Sequence, residues 1–353
     1  MDKRYFSDKL VKWYEQNKRD LPWRATTDPY KIWLSEIILQ QTRVNQGLPY
    51  YLKFVDKYPN VSALASASQQ EVLRLWQGLG YYSRARNLHE CAQQVVDKHG
   101  SCFPANYQAL KQLKGVGDYT AAAIASIAYG ESVAVVDGNV FRVLSRVFGI
   151  EAPIDTSAGK KKFTELANEV IDPNKPDLHN QALMEFGALH CTPKNPRCEE
   201  CIFESGCFAA QREMQDLLPV KLRSTAVRVR YFYYFVVKKG NSYLMKKRTE
   251  KDIWQGLFDF FMLEEPKPTK IEKLIERFNA INCLQFQTGD FVISDNYKHI
   301  LSHQIIHAKF IFLKAVSNNF LKEPFAFYTA KKIEELPKPV LISRFLSDFQ
   351  LLS

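Results

Sequence analysis

Cys191, Cys198, Cys201 and Cys207 follow one another as C-x6-C-x2-C-x5-C, four thiols within seventeen residues. This run constrains the fold more than any other stretch, because the backbone must wrap it around one compact centre. The two-residue gap between Cys198 and Cys201 suits a chelating turn. Structural zinc and iron–sulfur clusters both accept four cysteine ligands. The spacing departs from two short-spaced pairs, the usual zinc arrangement. Cys91, Cys102 and Cys283 lie outside the run and read as buried or surface thiols. Four of seven cysteines in one cluster describe a reduced, cytoplasmic protein with a metal site rather than a disulfide framework.

A net charge of +10 and a pI near 9.1 favour a polyanionic partner, nucleic acid before an acidic membrane surface. Met1–Lys12 is charged throughout, so no secretory leader is expected. No stretch approaches the roughly 20 apolar residues of a membrane span, so no membrane partner is expected. The 353 residues suffice for two or three domains.

Residues 1–215 read as almost all helix. Phe6, Leu10, Trp13 and Tyr14 share one helical face. Pro29 suits the first position of a helix running through Glu36 to Gln41. Ser68 to Glu71 is a capping-box pattern, and Gly78 and Gly80 end the helix it opens. Further helices cover Tyr82–His99, a short turn capped by Asn106, and the alanine-rich Tyr119–Tyr129. Others lie near 139–148, 157–171 and 177–190. Asp216–Val227 reads as a linker. Beyond it, Val229–Val237, Tyr243–Lys247, Phe258–Leu263 and stretches near 297–302 and 305–315 read as strands, with a helix near 269–279. The expected division is 1–215 mainly α, a linker at 216–227, and an α+β domain at 228–353.

Three places could carry chemistry. Glu36 sits within Ile32-Trp33-Leu34-Ser35-Glu36-Ile37-Ile38-Leu39, where desolvation would raise its pKa and keep it able to donate a proton. Periodicity alone reads it instead as the solvent edge of an amphipathic helix. Asp137 ends the apolar run Val133–Val136 and precedes Gly138-Asn139. An ordinary N-cap explains it, and a capping carboxylate also stays ionised. Two carboxyls of different pKa are the pair that breaks glycosidic bonds. Gly115-Val116-Gly117 allows a tight turn whose amides, with the start of the next helix, could hold a phosphate. A plain helix–helix turn is the simpler reading.

Taken in order, Leu21-Pro22-Trp23-Arg24, Leu34–Thr42, Gly78–Leu88, Gly115-Val116-Gly117, Val136–Val140 and the four cysteines resemble the helix-hairpin-helix glycosylase superfamily. The closer resemblance is to MutY-type adenine DNA glycosylases. It implies a six-helix domain plus a cluster domain with a [4Fe–4S] cluster on Cys191, Cys198, Cys201 and Cys207. The implied partner is double-stranded DNA with an 8-oxoguanine:A or G:A mispair, met by a monomer at the nucleoid. The implied activity is base-excision removal of adenine, which requires flipping the nucleotide out.

The resemblance also assigns roles. Glu36 would protonate adenine N7, and Asp137, helped by Asn139, would stabilise the sugar cation. Tyr119 would sit in the active site. Arg24 and Gln181 would contact the flipped base, while Gln41 and Tyr81 would probe and wedge the stack. Lys194 and Arg197 would meet DNA beside the cluster. Tyr119 stands where endonuclease III-like relatives place a nucleophilic lysine, and a tyrosine cannot form a Schiff base. Lys114 precedes the hairpin and is not assigned that role, so a monofunctional enzyme is expected.

Lys246-Lys247-Arg248 through Trp254–Phe260 is similar, less tightly, to the Nudix-like C-terminal domain of the same family. No clustered glutamates of a Nudix catalytic box occur, so nucleotide hydrolysis is not expected. Leu301-Ser302-His303 matches the loop that inspects 8-oxoguanine, with Ser302 and His303 carrying recognition; a polar break between strands is the plainer reading. Two rivals stand beside the adenine glycosylase. One is a bifunctional glycosylase/lyase for damaged pyrimidines, opposed by Tyr119. The other is a DNA-binding iron–sulfur protein without catalysis, opposed by Glu36 and Asp137.

Overall fold

The computed structural model describes residues 3–222, 227–282, 288–313, 324–349 and 351. Cys283 and residues 223–226 of the expected linker lie outside the described residues. The chain forms two compact units, one of residues 1–66 and 87–224, the other of residues 67–86 and 225–353.

The first unit is helical. Lys3–Asn17 buries Phe6, Leu10, Trp13 and Tyr14, the face its spacing predicts. They join a core with Val140, Val143 and Leu144 of Gly138–Phe148, Phe163, and Leu183 and Phe186 of Pro176–Leu189. Trp13 meets Phe186 edge-on at 5.0 Å. Leu218, inside the expected linker, is buried in this core, and Val220 accepts a 3.0 Å bond from the Ile154 amide.

Pro29–Leu39 starts where Asp28 caps the Tyr30 amide at 2.9 Å, and buries every residue from Ile32 to Ile38. Helices Val44–Lys57 and Val61–Ser66 went unnoticed in the sequence. Asp118–Tyr129 is buried from Thr120 to Ser126, where alanines let neighbours approach closely. Among the described residues no helix is long and apolar enough to cross a membrane.

The second unit begins with Gln69–Leu75, whose capping box closes through both bonds between Ser68 and Glu71. Its strands are β1 (Arg228–Val236), β2 (Lys238–Lys239), β3 (Ser242–Lys247), β4 (Phe258–Asp259), β5 (Phe261–Glu265), β6 (Phe291–Ile293), β7 (Tyr297–Ile300), β8 (Gln304–Leu313) and β9 (Ala326–Thr329). One sheet runs β5-β1-β8-β6, with β7 also on β8; the other runs β2-β3-β4, with β9 on β3. β1 and β8 pair in parallel, from Arg228 opposite Gln304 to Val236 opposite Phe312.

The single strand expected at Phe258–Leu263 is in fact two. β4 pairs with β3 and β5 with β1, so the chain changes sheets at Phe260. Phe260 is fully buried there, edge-on to Phe310 and Phe345. An apolar run can serve two sheets, and periodicity does not mark the crossing. Helix Ile271–Asn282 covers the first sheet with Leu274, Ile275 and Phe278, and Phe278 stacks on Phe235 at 4.0 Å. Sequence reading passed over β6, β9 and helices Ala330–Glu335 and Val340–Asp348.

Candidate active site

A cavity of about 550 Å³ in the first unit is lined by both carboxyls, Glu36 and Asp137, together with Tyr119, Asn139, Arg24 and Gln181. That volume suits a small-molecule-sized ligand. Among the described residues, no lysine lines it. Glu36 is 8% exposed, and burial pushes its carboxyl from 4.5 up to about 7. A hydrogen bond from Tyr119 and the Arg24 charge oppose the rise, while the charge on Asp137 adds to it. Burial also holds the Tyr119 phenol well above its ordinary value, so it remains a donor. Its oxygen lies 3.5 Å from Met184 Sδ.

Asp137 has a different environment. It caps Gly138–Phe148, its Oδ1 accepting from the amides of Asn139 and Val140, both at 2.8 Å. Its Oδ2 accepts from Asn139 Nδ2 at 2.9 Å. Burial raises this carboxyl, and the three donors pull the other way. Hydrogen bonds aimed at a carboxylate favour its ionised form. Asn139 is itself oriented, since Arg142 donates to its Oδ1 at 2.8 Å and to the Gly187 carbonyl at 2.6 Å. A Cβ at Gly187 would sit 2.7 Å from Asn139 Cβ, so the glycine makes this approach possible. Asn180 Oδ1 accepts the Val135 amide at 3.0 Å and Asn168 Oδ1 the Ala134 amide at 2.9 Å, fixing the segment that delivers Asp137.

Sequence reading missed Glu185. It is buried in Pro176–Leu189, and both Arg19 and Arg24 fork onto it, at 2.9 and 2.6 Å and at 2.8 and 2.7 Å. Burial raises its pKa, but these hydrogen bonds dominate and hold the carboxyl down at about 2. Arg24 therefore stands in the cavity wall already engaged. Tyr14 donates to Gln181 Oε1 at 3.2 Å. The available signal was the one that marked Glu36, a lone carboxylate inside an apolar helical run, Ala182-Leu183-Met184-Glu185-Phe186.

Gly115 has φ +74°, and a Cβ there would lie 2.8 Å from Asn87 Cβ, so the turn requires glycine. Gly117 is extended and faces open space, leaving the start of Asp118–Tyr129 accessible, while Val116 is buried. Asp118 at that start is held by Lys111 Nζ at 2.6 Å and the Tyr107 hydroxyl at 2.9 Å. Lys114 pairs with Glu90 at 3.3 Å. Gln41 is exposed at φ +54° just past Pro29–Leu39. In the second unit, Tyr81 is likewise exposed at φ +48°, near Ser302 and His303.

Cys191, Cys198, Cys201 and Cys207 all line one small cavity. Among the described residues no three His, Cys, Asp or Glu side chains converge as ligands of a single ion would. Thiols set around a shared space suit a multinuclear cluster, whose ligands sit on separate irons. Arg146 Nη1 lies 3.4 Å from Cys191 Sγ, and Arg142 Nε donates to the Cys191 carbonyl at 2.7 Å. The Cys191 amide donates to the Phe186 carbonyl of Pro176–Leu189 at 2.9 Å, and Phe203 stacks on Phe6 at 4.8 Å, so the loop is anchored to the helical core.

A family model described as HhH-GPD superfamily base excision DNA repair protein matches residues 34–171, and a NUDIX domain model matches 233–348. An adenine DNA glycosylase of Buchnera aphidicola subsp. Acyrthosiphon pisum is 30% identical, covering 99% of this chain and 99% of its own length. The chain belongs to the adenine DNA glycosylase family. The human adenine DNA glycosylase is 47% identical over 60% of this chain, which spans 41% of that relative's length. A thermostable thymine-DNA glycosylase structure matches with TM-score 0.56 and 32% identity, over 60% of this chain and 97% of that one. A trapped endonuclease III–DNA covalent intermediate shares the fold at TM-score 0.53 and 22% identity, over 61% of this chain and 99% of that one. This adenine DNA glycosylase family member thus joins a helix-hairpin-helix helical half to an α+β Nudix-like half.

Proposed function

We propose that this chain flips adenine from a duplex opposite 8-oxoguanine or guanine and hydrolyses its N-glycosidic bond without cutting the strand. The supporting observation is the pair of carboxyls in one cavity, Glu36 poised near neutrality and Asp137 held by three donors. Burial raises both carboxyls, but only Asp137 has three donors holding its rise back, and such unequal environments can split an acid from an anion. Glu36 protonates adenine N7, making the base a better leaving group. Tyr119 donates to the carboxylate left behind, and Asp137 with Asn139 faces the growing positive charge on the sugar. Gln181, its oxygen taken by Tyr14, keeps its amide hydrogens for the base, beside the wall formed by Arg24 and Glu185. The hairpin Gly115-Val116-Gly117 holds a backbone phosphate, while Gln41 and Tyr81 probe the stack.

The lysine-free cavity wall supports hydrolysis over lyase chemistry, since a Schiff base needs an amine. An end-labelled 8-oxoguanine:A duplex tests this. Scission at the adenine is expected only after alkali. Scission without alkali, or activity on oxidised pyrimidines instead, would replace this reading with the bifunctional one, and binding without product would end it.

Cys191, Cys198, Cys201 and Cys207 would hold a [4Fe–4S] cluster, a structural cross-link that shapes the loop carrying Lys194 and Arg197. The purified protein should be brown with broad visible absorbance; colourless protein with stoichiometric zinc would refute iron. Residues 1–215 would carry catalysis and residues 228–353, through Ser302 and His303, lesion recognition, in a monomer at the nucleoid.

A further inference from the structure

His190 takes no part in the adenine site. It follows Pro176–Leu189 directly and precedes Cys191. Its side chain is 5% exposed and lines the small cavity shared by the four cysteines. Among the described residues, no other histidine lines that cavity. The ring stacks on Phe186 at 5.0 Å, 20° from parallel, and meets Trp13 edge-on at 6.1 Å. Those two rings keep it from turning out to water. Its Nε2 is buried and has no hydrogen-bond partner in the protein. Buried polar atoms are almost always bonded, so an orphan beside a cofactor cradle points to the cofactor.

We propose that His190 donates a hydrogen bond from Nε2 to a sulfur of the cluster and so makes the cluster harder to oxidise. This rests on the reading that Cys191, Cys198, Cys201 and Cys207 hold a [4Fe–4S] cluster. Hydrogen bonds to the sulfurs help to set the potential of such a cluster. A donor aimed at a sulfur favours the more negative state, which is the reduced one. Two ligand sulfurs already meet donors from this chain. Arg146 Nη1 lies 3.4 Å from Cys191 Sγ, and the Phe203 amide lies 3.4 Å from Cys201 Sγ. The imidazole adds a further donor to the same centre, in the tautomer that leaves the lone pair on Nδ1. The rival acceptor is the Arg197 backbone, which draws a proton to the ring but lies outside hydrogen-bond reach of Nε2.

The test uses the full-length, cluster-loaded protein. Protein-film voltammetry compares the one-electron potential of native protein, His190→Phe and His190→Gln. Phenylalanine keeps the stack on Phe186 and has no donor. Glutamine carries an amide N–H to about the Nε2 position. His190→Phe should raise the oxidised/reduced ratio at a fixed potential about tenfold, a drop of roughly 60 mV, and His190→Gln should recover most of it. Native protein isotope-labelled only in its histidine ring nitrogens gives a readout that needs no variant to fold. Poised one electron from its resting state, it should show a ring nitrogen coupled to the unpaired spin. Equal potentials in native protein and His190→Phe, or no coupled ring nitrogen, would each overturn the proposal. A drop in His190→Gln as large as in His190→Phe would assign the shift to lost packing and overturn it too. Colourless protein holding zinc would overturn instead the cluster reading on which it rests.

Discussion

Glu36→Gln should cut adenine excision by about 10²–10⁴-fold, the usual worth of a positioned general acid, while the duplex still binds. Glutamine keeps the volume and polarity of the side chain but has no proton to give at neutral pH. In the native protein the rate should fall as pH rises through about 7, because Glu36 must be protonated. The variant's residual rate should lack that limb. A near-native rate, or an unchanged pH profile, would remove Glu36 from the chemistry.

The same substitution has an opposite effect on stability. The folded carboxyl binds its proton more tightly than the unfolded one, 4.5 having moved to about 7. Its contribution is intact below pH 4.5 and is lost as pH rises through about 7. That shift corresponds to about 3 kcal/mol. Glu36→Gln should therefore melt higher than the native protein above pH 8, with the advantage gone near pH 4. An active site that holds a carboxyl against its solvation preference gives up stability for function.

Asp137→Asn should lower the rate by about 10²–10³-fold, comparable to losing one preorganised electrostatic group in other enzymes. Asparagine is also a good N-cap, so Gly138–Phe148 should keep its start. What goes is the negative charge, and an amide now faces Asn139 Nδ2 where Oδ2 accepted before. The charge on Asp137 helps to raise Glu36, so the falling limb of the residual pH profile should move to lower pH. Circular dichroism with single-turnover rates separates the outcomes: lost helix with lost rate would mark a purely structural cap, and a full rate would end the proposed role.

Local residue chemistry made much of this protein legible in its sequence. The capping box at Ser68 and Glu71, the apolar face of Lys3–Asn17 and the end of the alanine-rich helix at Tyr129 rest on neighbours within a few residues, and they stand where expected. So do the linear motifs that pointed to the family, because their order is itself a sequence property. The split of Phe258–Leu263 between two sheets was not legible, since its aromatic and apolar residues suit either partner and only the pairing decides.

The site divides along the same line. The sequence alone supplied four clustered thiols, and also a carboxylate in an apolar run and a capping aspartate, these last two each with a bland local explanation. Periodicity placed Glu36 at the edge of water; burial on every side of Pro29–Leu39 put it in a cavity instead. Only the tertiary structure could bring Asp137 to the same cavity, set Arg19 and Arg24 on Glu185 across more than 150 residues of chain, and orient Asn139 through Arg142. The reason is physical: a pKa depends on what surrounds a group in three dimensions, on desolvation and on charges a few ångströms away, and chain separation carries no record of either.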